Sequence, residues 1–330
     1  MITEQQNLWN CRSETCPFIN LIEENDTHCH SSGFARSGYD VIGEDHPDFS
    51  RWLADINNVG FNDIKAKKIE VSRLPKFIPV IKRGSYKIMK GVIPPFVAVS
   101  IGDIVNPKNL DVLEGDVREK FGIDKKSKVI LLCFGKDKLI EKIWTKRNDI
   151  FSKIMSLKFD LVTGINYSIW FDQPHSERLI NLKRSLITYN EFQGLGLDAI
   201  PHMYWSGEKD IERWVDWISH NKSLKIITID PQTEKSDRIW DKTIGGLRFF
   251  VSKLDRQIQF LIIGPSNSKR INELKSIIPN LSIANGFCSR QSACGFKIYD
   301  DNGKSRHIYT SEAKNKTMKQ NINFYDNILS

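Results

Sequence analysis

Eight short apolar runs recur down the chain, at 77–81, 97–101, 129–134, 161–166, 198–204, 225–230, 259–264 and 281–285. Each has the length of a strand and is rich in Val, Ile and Leu, without the polar alternation of a half-solvated strand. That pattern belongs to strands covered on both faces, as in a parallel sheet. Between most of them, apolar residues fall at helical spacing, at 110–121, 138–157, 176–192, 210–219, 238–254 and 269–278. Strand and amphipathic helix in alternation, eight times over, predict an α/β fold, a (β/α)8 TIM-like barrel. The gap from 82 to 96, with Gly84, Gly91, Pro94 and Pro95, departs from the pattern. An open doubly wound sheet is the alternative, but the Gly-rich phosphate turn that would favour it is absent.

The runs divide the chain. Residues 76–295 form the predicted barrel, 296–330 a C-terminal extension packed on it, and 1–75 an irregular N-terminal cap. The cap is dense in Asn, Asp, Ser, Gly and His and is expected to hold one helix, near 49–57. Cys11, Cys16 and Cys29 lie close together in it, with His28 and His30 beside the last. Thiolate and imidazole at these spacings suit a structural zinc ion, bound by Cys11, Cys16, Cys29 and His30; reduced, unliganded thiols are the alternative. Cys288 and Cys294 read equally well as small buried hydrophobes. No run approaches the ~20 apolar residues of a membrane span, and the first nine residues are polar, so a cytoplasmic protein without membrane contact is expected.

In a barrel, function sits on the loops after the strand C-termini, so the polar residues there can be gathered in advance. The region from 159 to 205 is the richest, bringing Asn166, Tyr167, His202 and Tyr204 toward one opening. Asn285 follows the last strand. Rings and amides suit a flat heterocycle, stacked on its face and hydrogen-bonded on its edge. Lys82, Arg83, Lys136 and Arg290 are candidates for holding phosphates, in a chain with 48 Lys and Arg against 40 Asp and Glu and a formal charge of +8. Asp103, Asp137 and Asp230 are the carboxylates at strand ends. His202 is the only imidazole there, which argues against a catalytic metal and for chemistry without a cofactor.

Three strings, LLCFGKDKLIEKIW, FDLVTGINYSIWFDQP and GLDAIPHMYW, look like an uncharacterised barrel family of phage and mobile-element proteins. Its members carry an Asp-Asp pair, then Pro-Asp-Phe-Ser, then Val-Ile-Pro before an aromatic. That family is distantly similar to the queuine tRNA-ribosyltransferases and the 7-deazaguanine DNA transglycosylases. The resemblance puts Asp137 at the second acid of the pair and Asn166 at the Asp of Pro-Asp-Phe-Ser. It also implies a nucleophilic Asp after the eighth strand, where this chain has Asn285, and a late zinc motif that this chain lacks. Both departures weigh against base exchange.

Cleavage of a nucleoside C1′–N bond passes through an oxocarbenium-like state that a facing carboxylate stabilises. Asp137 and Asp230 are therefore the expected catalytic pair of a DNA glycosylase that excises a modified base from an everted nucleotide, with DNA favoured over tRNA as partner. The company of the resembling family suggests anti-phage defence. Base exchange, and nucleic-acid binding without chemistry, are the alternatives.

Overall fold

The computed structural model describes residues 54–169, 175–234 and 236–330. Eight strands form one sheet: β1 (Phe77–Ile81), β2 (Phe96–Ser100), β3 (Lys128–Leu132), β4 (Leu161–Thr163), β5 (Ala199–Ile200), β6 (Ile226–Ile229), β7 (Gln259–Ile263) and β8 (Leu281–Asn285). Their order is β5-β4-β3-β2-β1-β8-β7-β6, and neighbours pair in parallel. The two end strands then meet. Thr228 N–H donates to Pro201 O (3.0 Å) and Met203 N–H to Thr228 O (2.8 Å), so a bridge between His202 and Thr228 joins β5 to β6 and completes the ring. The fold is the (β/α)8 barrel that the alternation predicts.

Along each strand one set of side chains fills the barrel and the other meets the helices. Ile78 and Val80, Ala98, Ile130 and Leu132, Leu161, Ile200, Ile226, Leu261 and Ile263, and Ala284 make the inner core. Their neighbours Val97, Val99, Leu131, Val162, Ile227, Ile262 and Ile283 join the outer one. Val71 and Leu74 belong to the inner core too, because residues 69–76 cross the floor of the barrel. Asp198 accepts from Glu70 N and Val71 N (2.7 and 3.2 Å), and Gln259 accepts from Leu74 N (2.8 Å) while donating to Leu74 O (2.9 Å). The segment enters the floor beside β5 and leaves into β1. The described part of the cap is thus a strap bound into the barrel, with Phe61 against Trp214 and Trp217 Nε1 donating to Ile64 O. Residues 1–53 and the cap's Cys11, Cys16, Cys29 and His30 lie outside the described residues.

Helices α1 (Tyr86–Met89), α2 (Ile101–Ile104), α3 (Val117–Phe121), α4 (Asp137–Met155), α5 (His175–Gly194), α6 (Glu208–His220), α7 (Asp237–Lys253) and α8 (Ser268–Ile277) follow β1 to β7. The helix expected over 110–121 shrinks to α3. Its start is fixed by Asp116, whose carboxylate caps Arg118 N–H, and upstream Leu110 and Gly115 take positive φ around a Val105–Val112 bridge.

After β8 come α9 (Phe287–Ala293), a hairpin of β9 (Phe296–Asp301) and β10 (Lys304–Tyr309), and α10 (Lys314–Leu329). Helix α10 packs on β1: Tyr325 stacks on Phe77 (4.5 Å), Met318 meets Cys288, and Asn315 reaches Lys90 O near α1. It is the eighth helix of the barrel, and the hairpin is inserted ahead of it.

Candidate active site at the barrel mouth

A cavity of about 700 Å³ opens at the strand C-terminal face. Lys82 after β1, Ser100 and Asp103 after β2, Phe134 and Lys136 after β3, Gln232 after β6, Ser266 after β7, and Asn285, Phe287, Ser289 and Arg290 after β8 line it. Three of the four expected phosphate-holding cations therefore share one space. Arg83 stands outside it, exposed at the turn that Ser85 closes by donating to Lys82 O. Lys136 immediately precedes α4. Arg290 lies over the Phe287 ring at 5.2 Å. Asp103 accepts from Ser100 Oγ (2.9 Å).

The other half of the mouth, above β4, β5 and β6, is filled. Asp230 is held there by Gln232, whose backbone N–H (3.1 Å) and Nε2 (2.8 Å) both donate to its carboxyl. A little of its surface stays open, but it sits deep among neighbouring atoms, and burial pushes its pKa up to about 7. The Gln232 donors pull the other way, Glu234 adds to the rise, and the Asn166 amide lowers it slightly. Asn166 and Asp230 are thus brought together from β4 and β6. Glu234 is itself pushed to about 7 by burial, with the Thr243 hydroxyl and Arg270 opposing.

Asp137 is elsewhere. It opens α4, where a carboxylate suits the helix dipole, and accepts from Ser168 Oγ (2.6 Å). Neither Asp137 nor Asp230 lines the cavity; Asp103 does.

The expected ring contacts are corrected. Tyr167 is fully buried, its ring edge-on to Trp144 (5.8 Å) and covered by the Arg184 guanidinium (3.8 Å). Past the short β4 the side chain turns outward into the helix layer, so no base can stack on it. Arg184 is in turn held by Glu141 on α4 (2.6 and 3.2 Å). His202 continues the inward alternation of Ile200 and is 1 % exposed inside the barrel. Burial drives its pKa down to about 3, a loose approach to the Gly164 backbone offsets that only in part, and neither ring nitrogen makes a full hydrogen bond among the described residues. It stays neutral and does not reach the cavity. Tyr204 is half-buried and spends its hydroxyl on Asn181 O (2.9 Å). Asn285 touches the cavity but is committed to the frame, donating to Pro265 O (3.0 Å) and accepting from Cys288 N (3.3 Å).

Gln232, Ser289 and Phe287 were missed. Gln232 was findable, since Asp-Pro-x after a buried strand forms a turn whose third residue folds back on the Asp. Among the described residues no group of three His, Cys, Asp or Glu is arranged to hold a metal ion, and no helix is long and apolar enough to cross a membrane.

Fold and cavity together define a parallel (β/α)8 barrel protein with a cation-lined pocket at the face where such barrels carry function. The chain belongs to the family described as Domain of unknown function (DUF4417), which matches residues 115–279, from the turn before α3 to the end of α8. No curated protein matches the sequence.

Proposed function

We propose that the protein hydrolyses an N-glycosidic bond in nucleic acid, with one everted nucleotide held at the barrel mouth. The observation that carries this reading is that Lys82, Lys136 and Arg290, from three strand ends, line one cavity whose wall includes Gln232, the residue holding Asp230. The cations suit the phosphates on either side of a nucleotide. Phe134 and Phe287 offer apolar surface to the base. With a pKa near 7, Asp230 carries a proton in about half of the molecules at neutral pH, the poise of a general acid. With the Gln232 side chain displaced by the bound base, it protonates the leaving base as the C1′–N bond breaks. Asp103, lining the cavity itself, stabilises the cationic sugar and takes the proton of the water that adds to C1′. We assign the sugar-facing role to Asp103 rather than to Asp137 because Asp103 lines the cavity and Asp137 does not.

The test is incubation with single-stranded and duplex DNA, ordinary and base-modified, scoring free base and alkali-labile abasic sites. Asp230→Asn is expected to lower the rate by ~10² or more while binding survives. The rate should fall as pH rises past about 7, because the acid loses its proton. Release of base only when a second heterocycle is supplied would mean exchange instead of hydrolysis. A second reading, binding without chemistry, is favoured by one fact: Asp230 reaches the cavity only through Gln232. Binding without base release from any of these DNAs would select it.

A further inference from the structure

The hairpin before α10 has one face packed on the barrel at Ile298 and Ser305, with Tyr309 at its far end 69 % exposed, and one face that is open. Its turn, Asn302-Gly303, takes positive φ at both residues (51° and 79°), and the pairing register sets Phe296, Ile298 and Ser305 toward the barrel. Ile298 is buried, and Ser305 Oγ donates to Ser266 O (2.9 Å) and accepts from Ser268 N (3.0 Å). The opposite face pairs Lys297 with Ile308, Tyr299 with Arg306 and Asp301 with Lys304 across the two strands. It is solvent-facing: Tyr299 is 43 % and Ile308 58 % exposed. A groove of about 600 Å³ runs along the edge of β9, between it, α8 and α10, lined by Lys297, Tyr299, Asp300 and Phe324 and by the amides of Asn272 and Asn323. Ser268 lines this groove and Ser266 lines the mouth, so the turn that Ser305 ties together is the wall between them.

We propose that the groove and the open face of the hairpin bind a single-stranded segment of nucleic acid that continues into the mouth. An exposed tyrosine is a platform for an unstacked base, and amides donate and accept at base edges. Lys297 and Lys304 supply the charge for the backbone, since Arg306 lies 3.5 Å from Asp301. Asp300, in the groove wall, accepts from Gly303 N–H at the turn. A duplex keeps its base faces stacked on each other and has none to offer Tyr299, which selects the single strand. This inference rests on the nucleic-acid part of the proposed function and is independent of hydrolysis.

The experiment is fluorescence anisotropy of the full chain with a labelled DNA strand of about 12 nucleotides and with the matching duplex. Tyr299→Ala is expected to weaken single-strand binding at least about fivefold, with Tyr299→Phe restoring it, since stacking needs the ring and not the hydroxyl. Lys297→Ala with Lys304→Ala should flatten the slope of log affinity against log salt by ~0.7 per cation. Groove variants that bind as the wild type does, while Lys136→Ala weakens binding, would overturn the groove and leave the mouth reading intact. Duplex binding that is equally tight and equally sensitive to Tyr299→Ala would overturn the single-strand assignment. If the groove variants weaken binding but no DNA releases a base, the groove stands and hydrolysis falls. If the wild type binds no strand, both fall.

Discussion

Asp230→Asn should make the protein more stable at alkaline pH, an unusual outcome for a substitution at a candidate catalytic residue. The reasoning starts from the carboxyl moved from its ordinary 3.8 to about 7 by burial. Below pH 3.8 the group is protonated in both folded and unfolded chains and contributes no difference. Between the two values the unfolded chain releases a proton that the folded one retains, so stability falls as pH rises and the loss is complete above about 7. A gap of roughly 3 pH units, at ~1.36 kcal/mol each, sets a ceiling of about 4 kcal/mol. Water reaching the open part of the side chain reduces this to roughly 2 kcal/mol.

Asparagine carries no proton to lose, so that pH-dependent loss disappears. Against this stands one hydrogen bond: a single amide oxygen can accept from Gln232 N–H or from its Nε2, not from both as the carboxylate does, at about 1 kcal/mol. Near pH 4 the folded wild type also holds a neutral group with one carbonyl oxygen, so the two should be about equally stable there, whereas near pH 8 the variant should be about 1 kcal/mol more stable. Urea unfolding of both proteins across that range measures the difference directly, and the difference cancels the carboxylates they share. A difference that stays constant from acid to alkaline pH would falsify the raised pKa, and with it the case for Asp230 as the acid.

Three further outcomes follow from the same contacts. Replacing Gln232 with Leu removes one donor that lowers the Asp230 pKa, so the alkaline fall in base-release rate should move to higher pH; loss of activity with an unmoved profile would mean that Gln232 itself contacts the substrate. Glu141→Gln leaves the buried Arg184 without this carboxylate and should cost about 3 kcal/mol in urea unfolding, whereas an unchanged midpoint would show that Asn181 and the rings of Trp144 and Tyr167 suffice to hold the guanidinium. Gly264→Ala meets two obstacles, a φ of +105° and a new methyl 2.7 Å from the Gln232 Cα, so about 3 kcal/mol of stability should be lost together with the Asp230 poise. Calorimetry reads the first loss and the pH profile the second.

The strands were legible because each is covered on both faces, which leaves an apolar run that polar helices and turns cannot imitate. Their ends were not. The run expected over 198–204 contains a strand of only two residues, Ala199–Ile200, since Pro201 gives no N–H to the ladder and β5 joins β6 through a bridge alone. The hairpin had a plain signal, Asn302-Gly303 between alternating residues, but it falls after the eighth strand, where the barrel pattern looks finished. Missing it also hid the eighth helix, whose place in the ring is set by Phe77 and Cys288 rather than by distance along the chain.

The site divides along the same line. Cations at strand ends were legible because a long flexible side chain reaches the mouth whichever way its Cα–Cβ bond points. Rings have no such reach, and their fate depends on which side of the sheet the residue leaves from. His202 shares the phase of Ile200 and points into the barrel; Tyr167 leaves β4 on the outer side and is taken up by Trp144 and Arg184. The period-2 alternation that located the strands carried the information for His202, because Ile200 and His202 stand two apart. It carried none for Asp230, whose raised pKa comes from burial that the Gln232 donors and the Asn166 amide offset only in part. Open cavity and crowded carboxyl lie on opposite halves of one mouth, and Gln232, which lines the one and donates to the other, is the residue common to both.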